Sequence, residues 1–219
     1  MRRPTEDTLR HQGLRKKLIA LLEEKGIQDA QVLAAMGRVP RHFFMDAGFE
    51  DIAYENRAFP IDADQTISHP YTVAYQTQLL EVKKWSKVLE VGTGSAYQTA
   101  VLAEMGARVY TVERQRMLYD LVNEFDWLFK KYPMVETFYG DGYAGKLSFA
   151  PFDRVLVTAG APMVPAALID QLKVGGLLVI PVGEGEAQRM HRIKKVSASE
   201  TIQEVFDEFQ FVPMLKGKN

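Results

Sequence analysis

No cysteine occurs among the 219 residues, which excludes disulfide frameworks, thiolate zinc sites and cysteine nucleophiles and makes a reducing compartment the expected setting. Charge of one sign is not in surplus either. The 27 Lys and Arg stand against 28 Asp and Glu, for a formal net charge of −1, so no global basic field draws the chain onto nucleic acid or anionic lipid. Long apolar runs are missing, and none approaches the roughly 18 residues that a membrane span needs. The charged start Met1-Arg2-Arg3-Pro4 leads into no apolar block of signal length. Histidine is sparse, and His11, His42, His69 and His191 lack the spacing of metal ligands. The expectation is a cytoplasmic protein, monomeric by default, that recognises its partners locally and binds neither nucleic acid, membrane nor metal.

What is present is an ordinary globular composition, 47% hydrophobic and 25% charged, enough for one domain over residues 1–219. Its first part, 1–60, reads as a helical cap. Leu14, Leu18, Leu21 and Leu22 recur at helical spacing over 14–25, Asp29 can cap a second helix carrying Val32, Leu33 and Met36, and Pro40 ends it. A loop and helix fill 61–86. From 87 to 183 short β-branched runs at 88–91, 108–112, 135–139, 154–158 and 177–181 alternate with helices predicted at 96–104, 115–131 and 164–172. That is the pattern of an α/β fold, a Rossmann-like parallel sheet with helices on both faces. Over 184–219 the texture becomes alternating, and 191–196 with 202–211 reads as a C-terminal antiparallel pair.

The first strand ends in Glu90-Val91 and turns through Gly92-Thr93-Gly94-Ser95 into a helix that opens with Tyr97 and Gln98. Open α/β sheets bind ligands at that edge. A dinucleotide fingerprint needs a third glycine at position 97, and a P-loop needs a Gly-Lys-Ser/Thr end; the chain has neither. Glu113, next to Arg114, ends the second strand about twenty residues beyond the loop, where a carboxylate can hold both ribose hydroxyls. Asp141 in Gly140-Asp141-Gly142 follows the third strand, in reach of an adenine amino group, and Thr158 closes the fourth. Glu90 suits an ammonium group, bound directly or through water. Each feature alone has a bland reading: Glu113 with Arg114 as a solvated pair, Gly-Asp-Gly as an ordinary turn, Ser68 as the N-cap of a helix begun by Pro70. Their order along one sheet edge points to S-adenosylmethionine.

Several segments carry a resemblance. Gln65-Thr66-Ile67-Ser68, Pro70-Tyr71, the stretch from Val88 to Gly94, Tyr97 to Ala100, Gly140-Asp141-Gly142, Pro151-Phe152-Asp153 and Phe211-Val212-Pro213 together resemble the protein-L-isoaspartate O-methyltransferases over nearly the whole chain. The resemblance implies methylation of the free carboxylate of L-isoaspartyl or D-aspartyl residues in damaged peptides and proteins, followed by collapse of the ester to a succinimide. It implies Ser68 as the active-site residue, Thr66 and Ile67 beside it, and Phe211, Val212 and Pro213 as an extended edge for the substrate peptide. Four positions depart from the pattern. Asp62-Ala63-Asp64 replaces Gly-x-Gly and adds two carboxylates near the expected entry of an anionic substrate, Gln210 replaces an arginine, Ala96 a glycine and His69 a glutamine. The residues therefore leave two alternatives open: another methyl acceptor, or a cofactor-binding homologue without activity.

Overall fold

The computed structural model describes residues 3–219; positions 1–2 of the charged start lie outside the described residues. Helix α1 (Leu9–Glu24) begins before the 14–25 that the periodicity predicts, because Thr8 and His11 cap it reciprocally. The His11 amide donates to Thr8 Oγ1 and the Thr8 amide to His11 Nδ1, a capping box with histidine in glutamate's usual place. Helix α2 (Ala30–Arg38) starts as predicted, the Asp29 carboxylate accepting from the amides of Gln31 and Val32. The aromatic-rich segment after Pro40 forms two 3-10 turns, Arg41–Phe44 and Ala47–Ile52.

The stretch expected to be a loop instead forms a small antiparallel hairpin, β1 (Phe59–Ile61) with β2 (Gln65–Ile67). Its turn places Ala63 at φ 59° and Asp64 at φ 53°, the left-handed region where a Cβ is crowded. Helix α3 (Pro70–Leu80) follows. Its N-cap is His69 and not Ser68, and the Tyr71 amide is satisfied by Asn56 Oδ1 at 2.9 Å. The capping reading of Ser68 therefore fails: a side chain from another segment does that work.

The main sheet contains β3 (Lys87–Val91), β4 (Arg108–Glu113), β5 (Val135–Tyr139), β6 (Phe152–Val157), β7 (Leu172–Val182), β8 (Gln188–Lys195) and β9 (Thr201–Phe209), in the order β5-β4-β3-β6-β7-β8-β9. The first five strands run parallel, and β8 and β9 are antiparallel. Side chains alternate across it as the two-residue period requires: Val88 joins the core under the cap helices, while Leu89 and Val91 join the core on the opposite face. Between strands lie α4 (Tyr97–Glu104), α5 (Arg116–Asn123), α6 (Asp126–Lys131) and α7 (Ala166–Asp170).

Two predicted helices are corrected. The single helix over 115–131 is broken at Phe125, whose ψ is 72°. Phe125 and Trp127 both pack on Phe44, at 5.4 and 6.0 Å between ring centroids, and residues two apart on one helix cannot share a face. The helix over 164–172 shrinks to five residues because the chain turns at Gln171, whose side chain donates to Ala144 O and accepts from the Lys146 amide, and enters β7 at Leu172. No helix among the described residues is long and apolar enough to cross a membrane.

Ala63→Gly tests the hairpin turn. Removing the Cβ from a left-handed position should raise stability by about 1 kcal/mol, or roughly 2–4 °C in thermal unfolding; an unchanged or lower midpoint would show that the turn carries no strain.

Candidate active site

Strand order reverses at β3, with β4 on one side and β6 on the other. The carboxyl ends of β3, β4 and β6 open there on a cavity of about 910 Å³, including its open mouth. Its walls come from residues 65–68, 91–95, 112–115, 158–159 and 212–215, with Val73, Gln76, Tyr97, Gln98 and Gly142. A second, smaller hollow of about 300 Å³ adjoins it, and Thr66, Ser68, Thr158 and Val212 line both.

The glycine loop is pinned from beneath. Glu113 is buried, and its two carboxylate oxygens accept from the amides of Gly94 at 2.9 Å and Gln115 at 2.8 Å. Gly92 has φ 96°, and a Cβ there would strike Thr158 Oγ1; the Thr158 hydroxyl meanwhile donates to the carbonyls of Val91 and Gly92. Glycine is required by both conformation and space. At the next turn the position expected to exclude a dinucleotide is filled as the sequence suggests: Tyr97 is 2% exposed and packs on Phe44. Ala96 takes φ 69° as the N-cap of α4, so the alanine stands in a left-handed site suited to glycine.

Of the sequence-predicted cofactor residues, Gly92, Thr93, Gly94, Ser95, Tyr97, Gln98, Glu113, Arg114, Gly142 and Thr158 all reach the cavity wall. Glu90 and Asp141 do not. Glu90 is fully buried beneath the loop, accepts from Thr99 Oγ1, and keeps its other oxygen without a partner. Burial pushes its carboxyl up to about 7 against the hydroxyls of Thr99 and Thr111. Asp141 spends its oxygens on the Tyr143 amide and the Gly217 amide, so it caps one turn and holds the tail. Glu90 is turned into the protein, while Asp141 stays half-exposed and is engaged by backbone amides, orientations that sequence order does not specify.

Of the residues expected to serve the substrate, Thr66, Ile67, Ser68, Val212 and Pro213 line the larger cavity, while Phe211 lines only the smaller hollow. The tail is fixed by a parallel bridge: Gly160 N donates to Val212 O at 2.8 Å, and Met214 N to Gly160 O at 2.7 Å. Asp62 and Asp64, expected near the entry, line neither space, whereas Gln210 lines the smaller one. His69 also borders it, held below the ordinary histidine range by burial and then by the charge of Arg41. Sequence reasoning missed Gln76, Gln115, Met214 and Leu215, which also reach the cavity; Gln115 carried a signal, two residues beyond Glu113. The fold also brings together two histidines read as unrelated. His11 and His42 lie 3.9 Å apart, near Asp7, but Asp7 is held by Arg15 and the ring nitrogens meet Thr8, Glu50, Tyr54 and the Glu6 carbonyl.

The residues fit an adenosine-containing sulfonium donor. Gln98 presents a buried Oε1 with no partner in the cavity wall, the Gly92 cradle has no room for a side chain, and a buried carboxylate, Glu113, stands at the end of β4. Comparison with known proteins agrees. A family model described as Protein-L-isoaspartate(D-aspartate) O-methyltransferase (PCMT) matches residues 13–219. Protein-L-isoaspartate O-methyltransferases of Christiangramia forsetii and Flavobacterium johnsoniae are 55% and 53% identical to the chain, covering 98% of it and 100% of each relative. A solved structure described as a beta-aspartate methyltransferase (PCMT) of Plasmodium falciparum, in complex with S-adenosyl-L-homocysteine, superposes with a TM-score of 0.81 at 27% identity, covering 93% of this chain and 99% of that one.

The buried Glu90 makes a pH prediction. An unfolded chain loses this proton near pH 4.5 and the folded chain near 7, so the group subtracts stability as pH rises from 4.5 to 7 and nothing further above that. The loss reaches roughly 3 kcal/mol at most. Glu90→Gln should therefore unfold at a higher temperature than the parent at pH 8 and differ little at pH 5, without cofactor; an equal difference at both pH values would contradict the assignment.

Proposed function

The chain belongs to the protein-L-isoaspartate(D-aspartate) O-methyltransferase family, and from that premise we propose that methyl transfer takes place at the wall shared by the two cavities, with Ser68 as its acceptor-side residue. The activity is S-adenosylmethionine-dependent methylation of the free carboxylate of isoaspartyl residues in proteins. The observation that carries the site assignment is that Thr66, Ser68, Thr158 and Val212 border both the glycine-loop cavity and the smaller hollow. A donor on one side and a carboxylate on the other would meet there.

The donor, when bound, supplies a methyl already activated by a sulfonium charge. The chain then has no proton to remove, since an ionised carboxylate is a nucleophile at neutral pH. Its residues have three tasks. Gly92, Thr93, Gly94 and Ser95 offer loop backbone and hydroxyls to the donor, with Glu113 for ribose hydroxyls and Gln98 Oε1 for a donor hydrogen. Ser68 holds the acceptor carboxylate by hydrogen bonding, with Thr66 and Ile67 beside it. Val212 and Pro213 close the far wall and offer main-chain groups to the peptide, a mode that tolerates many flanking sequences. Alignment and exclusion of water carry the acceleration. In this reading, 1–219 works as one methyltransferase unit: cap 1–60, acceptor loop and helix 61–86, cofactor core 87–183 and strands 184–219.

Transfer of labelled methyl to an isoaspartyl peptide, with no transfer to its aspartyl twin, is the expected outcome; equal or absent transfer would overturn the function. Ser68→Ala should lower turnover about 10- to 100-fold, the worth of one hydrogen bond to a charged group, and leave S-adenosylhomocysteine affinity within about twofold. A large loss of that affinity would move Ser68 to the cofactor side. Glu113→Ala should weaken S-adenosylhomocysteine about tenfold or more in calorimetry, and unchanged affinity would remove it from the cofactor site.

A further inference from the structure

Arg41 is fully buried, and no carboxylate among the described residues compensates it. On the 3-10 turn after Pro40 its Nε donates to Ala53 O at 3.0 Å, and its Nη2 to Ser68 O at 2.8 Å and, at the limit, to Arg57 O at 3.5 Å. Its Nη1 has no partner. The guanidinium lies 4.8 Å from the centroid of the Tyr97 ring, a side chain in the wall of the larger cavity. Among the described residues no acid forms an ion pair with it; the groups against its charge are the carbonyls of Ala53, Ser68 and Arg57 and the ring of Tyr97.

The other buried arginine of the cap is treated differently. Arg15 is held by both oxygens of Asp7, at 3.0 and 2.8 Å. A buried cation without a counter-ion is costly, and a neutral side chain of similar length would spare that cost while still filling the space. The resting fold uses Arg41 as a donor to backbone carbonyls, but offers its charge no counter-ion among the described residues.

The acceptor hollow supplies a use for that charge. No Asp, Glu, Lys or Arg lines it; its titratable wall residue is His69, which Arg41 itself biases toward the neutral form, and Gln210 in the same wall is uncharged. A carboxylate entering the hollow beside Ser68 meets no cation in its wall. Arg41 lies a single hydrogen bond behind, on the carbonyl of the same serine, while Arg114 lines the larger cavity that Ser68 also borders.

Resting on the reading of Ser68 as the acceptor-side residue, we propose that Arg41 is the positioning and specificity-determining cation of the acceptor site, a fixed buried charge that favours a carboxylate over its neutral isostere. It does not touch the substrate. It holds the Ser68 backbone and supplies, through a poorly screened interior, the field that the acceptor anion completes.

Binding in the presence of S-adenosylhomocysteine tests this without turnover. Calorimetry compares an isoaspartyl peptide with the same peptide carrying a carboxamide in place of the free carboxylate. The native protein should bind the carboxylate about tenfold tighter or more, the scale of one charge felt at short range through protein. Arg41→Gln should bring the ratio close to one, and Arg41→Lys should keep most of it. A purely structural role would weaken both peptides alike and leave the ratio unchanged. Equal binding of the two peptides by the native protein overturns the proposal whatever the variants do, as does a folded Arg41→Gln with the native ratio. If Arg41→Gln does not fold, a folded Arg41→Lys that has lost the ratio overturns it equally. Methyl transfer by the native protein to the isoaspartyl peptide, measured separately, distinguishes failure of this inference from failure of the function it rests on.

Discussion

Everything at the site depends on one topological constraint: a parallel sheet whose strand order reverses at β3 must leave the ends of β3 and β6 without a connection running across them. The gap is unavoidable, and the chain lines it with whatever follows each strand. Gly92 follows β3, Gln115 follows β4, Gly142 follows β5 and Thr158 follows β6. The gap alone would be a soft opening. It becomes a shaped site because the Glu113 carboxylate ties the Gly94 amide to the end of the neighbouring strand and Thr158 ties the backbone of 91–92. Two strand ends and one loop thereby move as a unit.

The cap performs a complementary task with polar instead of apolar contacts. Arg15 bridges Asp7, Tyr54 and the Gly37 carbonyl, and Tyr54 passes the connection to His42. Such a network is directional in a way that hydrophobic packing is not. It fixes the orientation of the segment from Arg41 to Tyr54, and with it the approach of Arg41 to the Ser68 carbonyl. The precision needed beside Ser68 is set some thirty residues earlier in the chain.

How far this was legible in the sequence depends on the kind of interaction. The β-branched runs and the glycine turn obey local rules, so the five parallel strands and the C-terminal pair emerge, most with small errors at their ends, while β7 begins five residues before the predicted 177. Most residues proposed for the cofactor line the cavity for the same reason, since they lie at strand ends. Glu90 and Asp141 stand off the cavity wall because period and order say which residue ends a strand, whereas the direction of its side chain depends on its partners: Thr99 in one case, the amides of Tyr143 and Gly217 in the other. The break at Phe125 was hidden because the aromatic cluster with Phe44 and Trp127 joins segments eighty residues apart. The β1–β2 hairpin was hidden because Ala63 and Asp64 adopt a conformation their side chains disfavour. Ser68 looked like a helix cap until Asn56 arrived from elsewhere in the chain to do that work. Arg41 carried no local signal at all, since a buried charge is recognised only once its surroundings are known.

The bridge between Gly160 and the segment at 212–214 has a consequence in time as well as space. Val212, Pro213, Met214 and Leu215 are cavity wall, and they are made after every strand of the sheet. A nascent chain can pair its five parallel strands before that wall is made, while Met214 of the wall completes the core on the Leu89 face. The wall at 212–215 is thus added to strands that all precede it, and the full stability that ligand adds belongs only to chains synthesised past this point.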